Sequence, residues 1–146
     1  MIQSIHKGKG FRGVLNYVFG REKSPELVGG NMYGEDPRAL AQEFAEWREL
    51  RPGLTRAVFH SSLSLPHGAA GREELSDAQW RDVAERYLEH LGYGRSPFVV
   101  VRHRDTEHDH VHIVAARIGA DGRAVSDSYD YRRGEEVLRA LEREDG

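Results

Sequence analysis

Two apolar segments joined by a short polar loop constrain the fold of this 146-residue chain more than any other feature. Residues 97–103, PFVVVRH, and residues 110–118, HVHIVAARI, are rich in Val and Ile, which favour extended backbone. The polar residues between them, RDTEHD, suit a connecting loop. We therefore predict an antiparallel β-hairpin in which His103 lies about opposite His110.

Apolar spacing and end signals predict the other elements. Helices are expected over four segments, residues 10–20, 36–50, 76–92 and 131–144. Further strands are expected over residues 2–6 and 55–66, and residues 119–125 suggest a turn with a short return strand. Residues 24–37 are turn-rich and predicted to be irregular, and residues 67–74 to form a polar loop. This order predicts an α+β domain with a central, largely antiparallel β-sheet flanked by helices.

Composition indicates an ordinary globular chain. Its length suits one domain with a real core, residues 1–146, which is compatible with the front part of a longer protein. No apolar run approaches the roughly 18 residues of a membrane span, and the first residues lack a signal-peptide pattern. The absence of cysteine excludes disulfides and thiolate metal sites, so we expect a cytoplasmic protein without a membrane partner.

Charge is distributed unevenly along the chain. The net charge of −3 argues mildly against a nucleic-acid-binding protein. Residues 1–23, however, carry five basic side chains against Glu22 alone, a net +4, so the remainder carries −7. Such a basic segment is able to contact a phosphate backbone locally, although basic clusters are usually solvated surface.

The predicted hairpin concentrates histidines. Side chains two residues apart in a strand share a face, so His110 and His112 point the same way. If His103 faces His110, their Cβ atoms are about 4.5–5.5 Å apart. Three neutral imidazoles at one point predict a site for a divalent ion with open coordination positions. Mn²⁺, Zn²⁺, Co²⁺ and Ni²⁺ suit such ligands better than Mg²⁺, which prefers oxygen.

Two residues of the predicted loop lie close to these histidines in sequence. Asp105, two residues after His103, is placed to hold the second nitrogen of an imidazole. His108 lies within the predicted loop, either facing a substrate or merely exposed. The alternative for the whole cluster is a set of surface histidines without a ligand.

The segment RHRDTEHDHVHIVAAR, residues 102–117, resembles the third motif of the relaxase, or mobilisation nuclease, family (MobA/MobL-type) of conjugative and mobilisable plasmids. That family belongs to the HUH endonucleases, and its pattern runs His-x-Asp-Thr, three residues, then His-x-His and aliphatic residues. Many members continue with Asn and Arg, whereas here Ala116 precedes Arg117. A role for that Asn is therefore not carried over.

Two weaker motifs precede it in the order typical of relaxases. GVLNYVFGREK, residues 13–23, is similar to the first motif, whose tyrosine nucleophile maps onto Tyr17. FHSSLSLP, residues 59–66, resembles the second motif, in which Ser62 and Ser64 are candidates for DNA contact.

The resemblance implies the palm-like HUH fold and a metal-dependent activity. Tyr17 would attack the scissile phosphate of one strand at an origin of transfer, form a 5′-phosphotyrosyl link and later allow rejoining, with Mg²⁺ or Mn²⁺ in function. Asp105 would assist proton removal or orient a ligand. Single-stranded DNA is the implied partner, together with accessory relaxosome proteins. The candidate DNA-binding residues are Lys7, Lys9, Arg12, Arg21, Lys23, Ser62, Ser64 and Arg117.

Two other functions are compatible with the residues alone. A metallohydrolase would use the three histidines to activate water and would need no tyrosine. A non-catalytic single-stranded DNA-binding domain would use the histidines only to stabilise the hairpin. Sequence alone does not rank Tyr17 above the five other tyrosines, and a tyrosine beside a helix stripe is more often part of the core; the motif selects Tyr17.

Overall fold

A computed structural model describes residues 1–65, 74–106 and 108–145. Within these ranges the chain forms one five-stranded sheet and four α-helices. The elements are, in order, β1 Ile2–Gly8, α1 Phe11–Val18, a 3₁₀ turn Arg21–Lys23, β2 Pro25–Gly30, α2 Pro37–Arg48, β3 Val58–Ser64, α3 Asp77–His90, β4 Phe98–His103, β5 His110–Ala116 and α4 Asp130–Asp145.

The sheet has the strand order β1-β3-β5-β4-β2, and every neighbouring pair is antiparallel. Four helices flank it, which confirms the predicted α+β class and is consistent with an HUH endonuclease fold. The predicted hairpin is confirmed as β4–β5, with His103 directly opposite His110. None of the described helices combines the length and apolar character that crossing a membrane requires.

Each face of the sheet has its own apolar core. Helices α3 and α4 pack on the face that carries Phe59, Leu63, Val111 and Ile113. Helices α1 and α2 pack on the other face, against a group of sheet residues that comprises Val58, Val99, Val101, Val114 and Ala116. On this second face the residues nearer the hairpin loop are polar, because the strands there carry His and Ser in place of Val. We call this polar area the histidine face; it comprises His60, Ser62, Ser64, His103, His110 and His112.

The predicted helix ends are confirmed where capping signals exist. Asp36 accepts a hydrogen bond from the Ala39 amide at the start of α2. Ser76 and Gln79 form a capping box at the start of α3. After α3 the backbone turns through Gly92, whose φ of 97° favours glycine.

The prediction that residues 24–37 are wholly irregular is wrong, because Pro25–Gly30 forms the edge strand β2 beside β4. Proline is tolerated at the first position of an edge strand, where no partner needs its missing N–H. At the other end Gly30 has a φ of 141°, and a side chain there would collide with the Phe98 carbonyl. The proposed return strand is reduced to a single bridge between Ile118 and Ala124. Most of the predicted loop 67–74 lies outside the described residues.

Candidate active site

The hairpin brings three imidazoles together. His103, His110 and His112 each offer a ligand atom, and these atoms all lie within 4.8 Å of one another. Their ring centroids are 4.2 Å apart for His103 and His112, and 5.3 Å apart for His103 and His110. The three side chains could therefore hold one divalent ion, as the strand register predicts.

Hydrogen bonds orient two of these rings for metal binding. The Nε2 of His103 lies 2.7 Å from the Val18 carbonyl oxygen, and the Nδ1 of His110 lies 2.9 Å from the His108 carbonyl oxygen. Because a carbonyl only accepts, each of these nitrogens carries the hydrogen, and the opposite nitrogen of each ring keeps a lone pair. The donor set therefore fits a divalent metal ion.

The third ring has a different neighbour. His112 Nδ1 lies 2.9 Å from Nε2 of His60, a half-buried residue of β3. Sequence reasoning missed His60. The signal was available, since His60, Ser62 and Ser64 alternate onto one face of a strand, but which strand lies beside β5 is a property of the sheet order.

His60, His103 and His112 are uncharged at neutral pH. Burial, with a contribution from neighbouring imidazoles, lowers the pKa of His112 to about 3 and that of His60 to about 4. Burial also lowers the pKa of His103. Neutral imidazole is the form that binds metal, so burial keeps His103 and His112 in the form that a ligand requires.

A cluster of ion pairs around the buried Arg102 holds the hairpin from the opposite face of the sheet. Arg102, which is 3% exposed, contacts Asp109 at 2.8 Å and Asp77 at 2.7 Å. Asp109 also accepts a hydrogen bond from the Leu75 amide. Since Arg102 and Asp109 precede His103 and His110 in the chain, this cluster stabilises the register that aligns those histidines. It was not predicted from the sequence.

Tyr17 lies beside the histidines. It is on the last turn of α1, and its side chain is 52% exposed rather than part of the core. Its ring lies edge-on to His112 and His60, with centroids 6.0 and 6.1 Å apart. The Nζ of Lys23 lies 4.3 Å from the centroid of the Tyr17 ring, within range of a cation–π interaction.

The other tyrosines lie elsewhere. Tyr87 and Tyr93 are buried in the core beneath α3. Tyr33 is exposed in the connection between β2 and α2. Tyr129 and Tyr131 are exposed near the start of α4, the helix on the opposite face of the sheet.

The structure separates the predicted DNA-binding cations. Arg21 and Lys23 lie in the 3₁₀ turn that follows α1, and of these two Lys23 contacts the Tyr17 ring, whereas Lys9 and Arg12 are exposed at the other end of that helix. Lys7 points to the opposite face of the sheet, where it pairs with Asp130 at 2.8 Å.

Arg117 lies beyond the end of β5 that is farther from the hairpin loop. Its buried guanidinium donates hydrogen bonds to the carbonyls of Arg56 and Val125. Strand alternation directs Lys7 to the opposite face and sheet length places Arg117 away from the histidine face, and the DNA contacts expected of these two residues stay a prediction.

Ser62 and Ser64 are half-buried on the histidine face, and Ser62 Oγ contacts Ser4 Oγ. Asp105 is exposed in the hairpin loop. The nitrogens that we expected Asp105 to hold are contacted by Val18, His108 and His60, and the catalytic role expected of Asp105 stays a prediction. Its carboxylate instead acts on the pKa of His103 through charge, opposing the lowering that burial causes.

Comparison with known proteins identifies the family to which the chain is similar. A family model described as relaxase, MobA/VirD2-like, nuclease domain matches residues 16–146, a range that includes Tyr17, β3 and the hairpin. A search of curated proteins finds no match. The matched range and the histidine site together show that this chain belongs to the MobA/VirD2-like relaxase family and corresponds to its nuclease domain.

Proposed function

We propose that this domain nicks one DNA strand at an origin of transfer through attack by the Tyr17 hydroxyl on the scissile phosphate. A bond forms between the phenolic oxygen and phosphorus, and the bond from phosphorus to the 3′ oxygen breaks. The products are a 5′-phosphotyrosyl link and a free 3′-hydroxyl. The observation that carries the proposal is the exposed Tyr17 ring beside a cluster of three histidines.

The surroundings of Tyr17 suit this chemistry. A phenol ionises near pH 10, so at neutral pH it is a weak nucleophile without assistance. The ammonium of Lys23 lies 4.3 Å from the centroid of the Tyr17 ring, where its positive charge would attract the scissile phosphate. A divalent ion bound by the histidines, Mg²⁺ or Mn²⁺ in function, would withdraw charge from a phosphate oxygen. Asp105 adds a negative charge next to His103, which favours binding of a cation there.

The same surface supplies contacts for a single strand. Lys23 provides positive charge beside Tyr17, with Arg21 in the same turn, and Ser62 and Ser64 provide hydroxyl groups on the histidine face. Lys9 and Arg12 extend the cationic residues along α1. We propose that the strand crosses the histidine face, with its phosphates contacting these cations.

Adduct formation tests the proposal. The protein, Mn²⁺ and a pool of single-stranded DNA of randomised sequence should yield a denaturant-resistant adduct with a 5′ phosphate attached to the protein. Tyr17→Phe keeps the ring but removes the nucleophilic oxygen, so the adduct should disappear while stability hardly changes. Tyr131→Phe is the matched control, because Tyr131 is 49% exposed but lies on α4.

The alternatives give different products. A metallohydrolase would cleave the pool without an adduct, and Tyr17→Phe would stay active. A non-catalytic binding domain would retain the DNA intact, with or without a chelator. An adduct that persists in Tyr17→Phe would assign the nucleophile to another tyrosine.

A further inference from the structure

The contact between His60 and His112 joins two neighbouring strands. Ser62 of β3 lies directly opposite His112 of β5, so His60 approaches His112 along the diagonal of the same face. The imidazole planes are tilted by 31°, and the hydrogen bond joins Nε2 of His60 to Nδ1 of His112 over 2.9 Å. Since His60 uses this nitrogen for His112, it is a neighbour of the candidate metal ligands rather than one of the three.

Either ring can donate the hydrogen of this bond, and the two cases have opposite consequences for metal binding by His112. A neutral imidazole carries one N–H, so one ring must donate and the other accept. If His112 donates from Nδ1, its Nε2 keeps a lone pair that can bind a metal ion. If His60 donates instead, His112 accepts at Nδ1, and its Nε2 carries the hydrogen and is unable to bind. The partner's tautomer therefore decides whether His112 is a ligand.

We infer that His60 is a positioning residue, which accepts the hydrogen of His112 Nδ1 and so holds His112 in the tautomer that presents Nε2 to the ion. His60 then plays for His112 the part that the carbonyls of Val18 and His108 play for the other two ligands. The inference rests on the metal centre of the proposed function. Partners of this kind typically change metal affinity by about 10- to 100-fold.

Two substitutions of His60 test whether its role depends on accepting a hydrogen bond or only on filling space beside His112. In His60→Gln, Oε1 lies the same number of bonds from Cβ as the Nε2 it replaces and is an acceptor. In His60→Leu the acceptor is lost. His6→Gln is the control, because His6 is exposed on β1 directly across from His60 and is not among the three candidate metal ligands. Circular dichroism and urea unfolding should establish that all three variants are folded.

Nitrogen-15 NMR of the imidazoles, recorded without metal, reports the tautomer, and calorimetry with Zn²⁺ reports affinity. We expect the Nδ1–H tautomer of His112 in the wild type and in His60→Gln, and its loss in His60→Leu. Zn²⁺ should bind His60→Leu about 10- to 100-fold more weakly than the wild type, while His60→Gln retains most of the affinity and His6→Gln retains all of it.

Two results would overturn the inference: an Nε2–H tautomer of His112 in the metal-free wild type, or an unchanged affinity in His60→Leu. These two results differ from those expected if the proposed function itself is wrong. A wild type that binds no ion would remove the metal centre, whereas the role of His60 would still be decided by the tautomer measured without metal. Loss of the Tyr17 adduct would affect neither measurement.

Discussion

The carbonyl oxygen of Val18 lies 2.7 Å from Nε2 of His103, across 85 residues of sequence. Val18 follows Tyr17 at the end of α1, so one hydrogen bond joins the helix that carries the proposed nucleophile to a candidate metal ligand. The bond orients the His103 ring and joins the end of α1 to the hairpin. Tyr17 and the histidines are therefore positioned as one unit.

Loss of this bond should destabilise the fold even without metal. His103→Ala removes a 3%-exposed side chain and leaves the Val18 carbonyl without its partner, which should cost about 1–3 kcal/mol of unfolding free energy. His110→Ala, at a less buried position, should cost less. Urea unfolding in the presence of a chelator measures both values, and equal losses would show that the Val18 contact contributes nothing.

The three histidines should bind one ion per chain. Calorimetry with Mn²⁺ should give a stoichiometry of one, and His110→Ala should abolish or greatly weaken the binding because two imidazoles remain. His90→Ala is the control, since His90 is exposed in the last turn of α3. Unchanged Mn²⁺ binding in His110→Ala would place the metal site elsewhere.

The metal-free protein should lose stability in mild acid. Burial lowers the pKa of His60 to about 4 and that of His112 to about 3, whereas the unfolded chain titrates near 6.5. Between about pH 6.5 and these lower values the unfolded chain binds protons that the folded chain does not, so the free energy of unfolding falls as pH falls. Each group contributes a slope of at most about 1.4 kcal/mol per pH unit.

Urea unfolding with a chelator, at several pH values from 7.5 to about 5, measures the slope of the free energy of unfolding against pH. This range lies above the pH at which most carboxylates titrate, so the histidines dominate the slope. The slope should be shallower in His60→Gln, which lacks one of the titrating imidazoles. Identical slopes in the two proteins would mean that His60 ionises as readily in the folded chain as in the unfolded chain.

The salt dependence of DNA affinity should distinguish cationic side chains near the candidate site from those on the opposite face of the sheet. For single-stranded DNA, log K falls with log salt by about 0.7 for each phosphate neutralised. Lys23→Ala and Arg21→Ala should each reduce that slope by up to this amount. Lys7→Ala should leave it unchanged and lower stability instead, because Lys7 pairs with Asp130. Fluorescence anisotropy with a labelled oligonucleotide pool provides the measurement, and a reduced slope in Lys7→Ala would contradict this arrangement.

Strand rejoining should follow nicking. The phosphotyrosyl link conserves the phosphoester bond, so the reaction is reversible when a strand with a free 3′-hydroxyl is supplied. Isolated adduct mixed with such an acceptor should release the protein and yield a joined strand of defined length, seen on a denaturing gel. An adduct that releases only DNA with a free 5′ phosphate would indicate hydrolysis and contradict transesterification.

Much of the fold and the histidine cluster of the candidate site were predictable from the sequence. The hairpin, its register and the convergence of His103, His110 and His112 depend on alternation and on a short loop, which are properties of neighbouring residues. Helix ends were predictable for the same reason, since caps such as Asp36 act within one turn. The family motif selected Tyr17, which local patterns alone could not.

Tertiary structure decided which distant groups meet the hairpin. His60 contacts His112 across 52 residues, because β3 rather than another strand pairs with β5. The same packing places Lys23 over Tyr17, directs Lys7 to the opposite face and makes Pro25–Gly30 an edge strand. Strand alternation tells which side chains share a face, but the partners on that face depend on sheet order and on the helices packed against it. Those long-range contacts arise from burial of apolar surface throughout the domain, which no local pattern encodes.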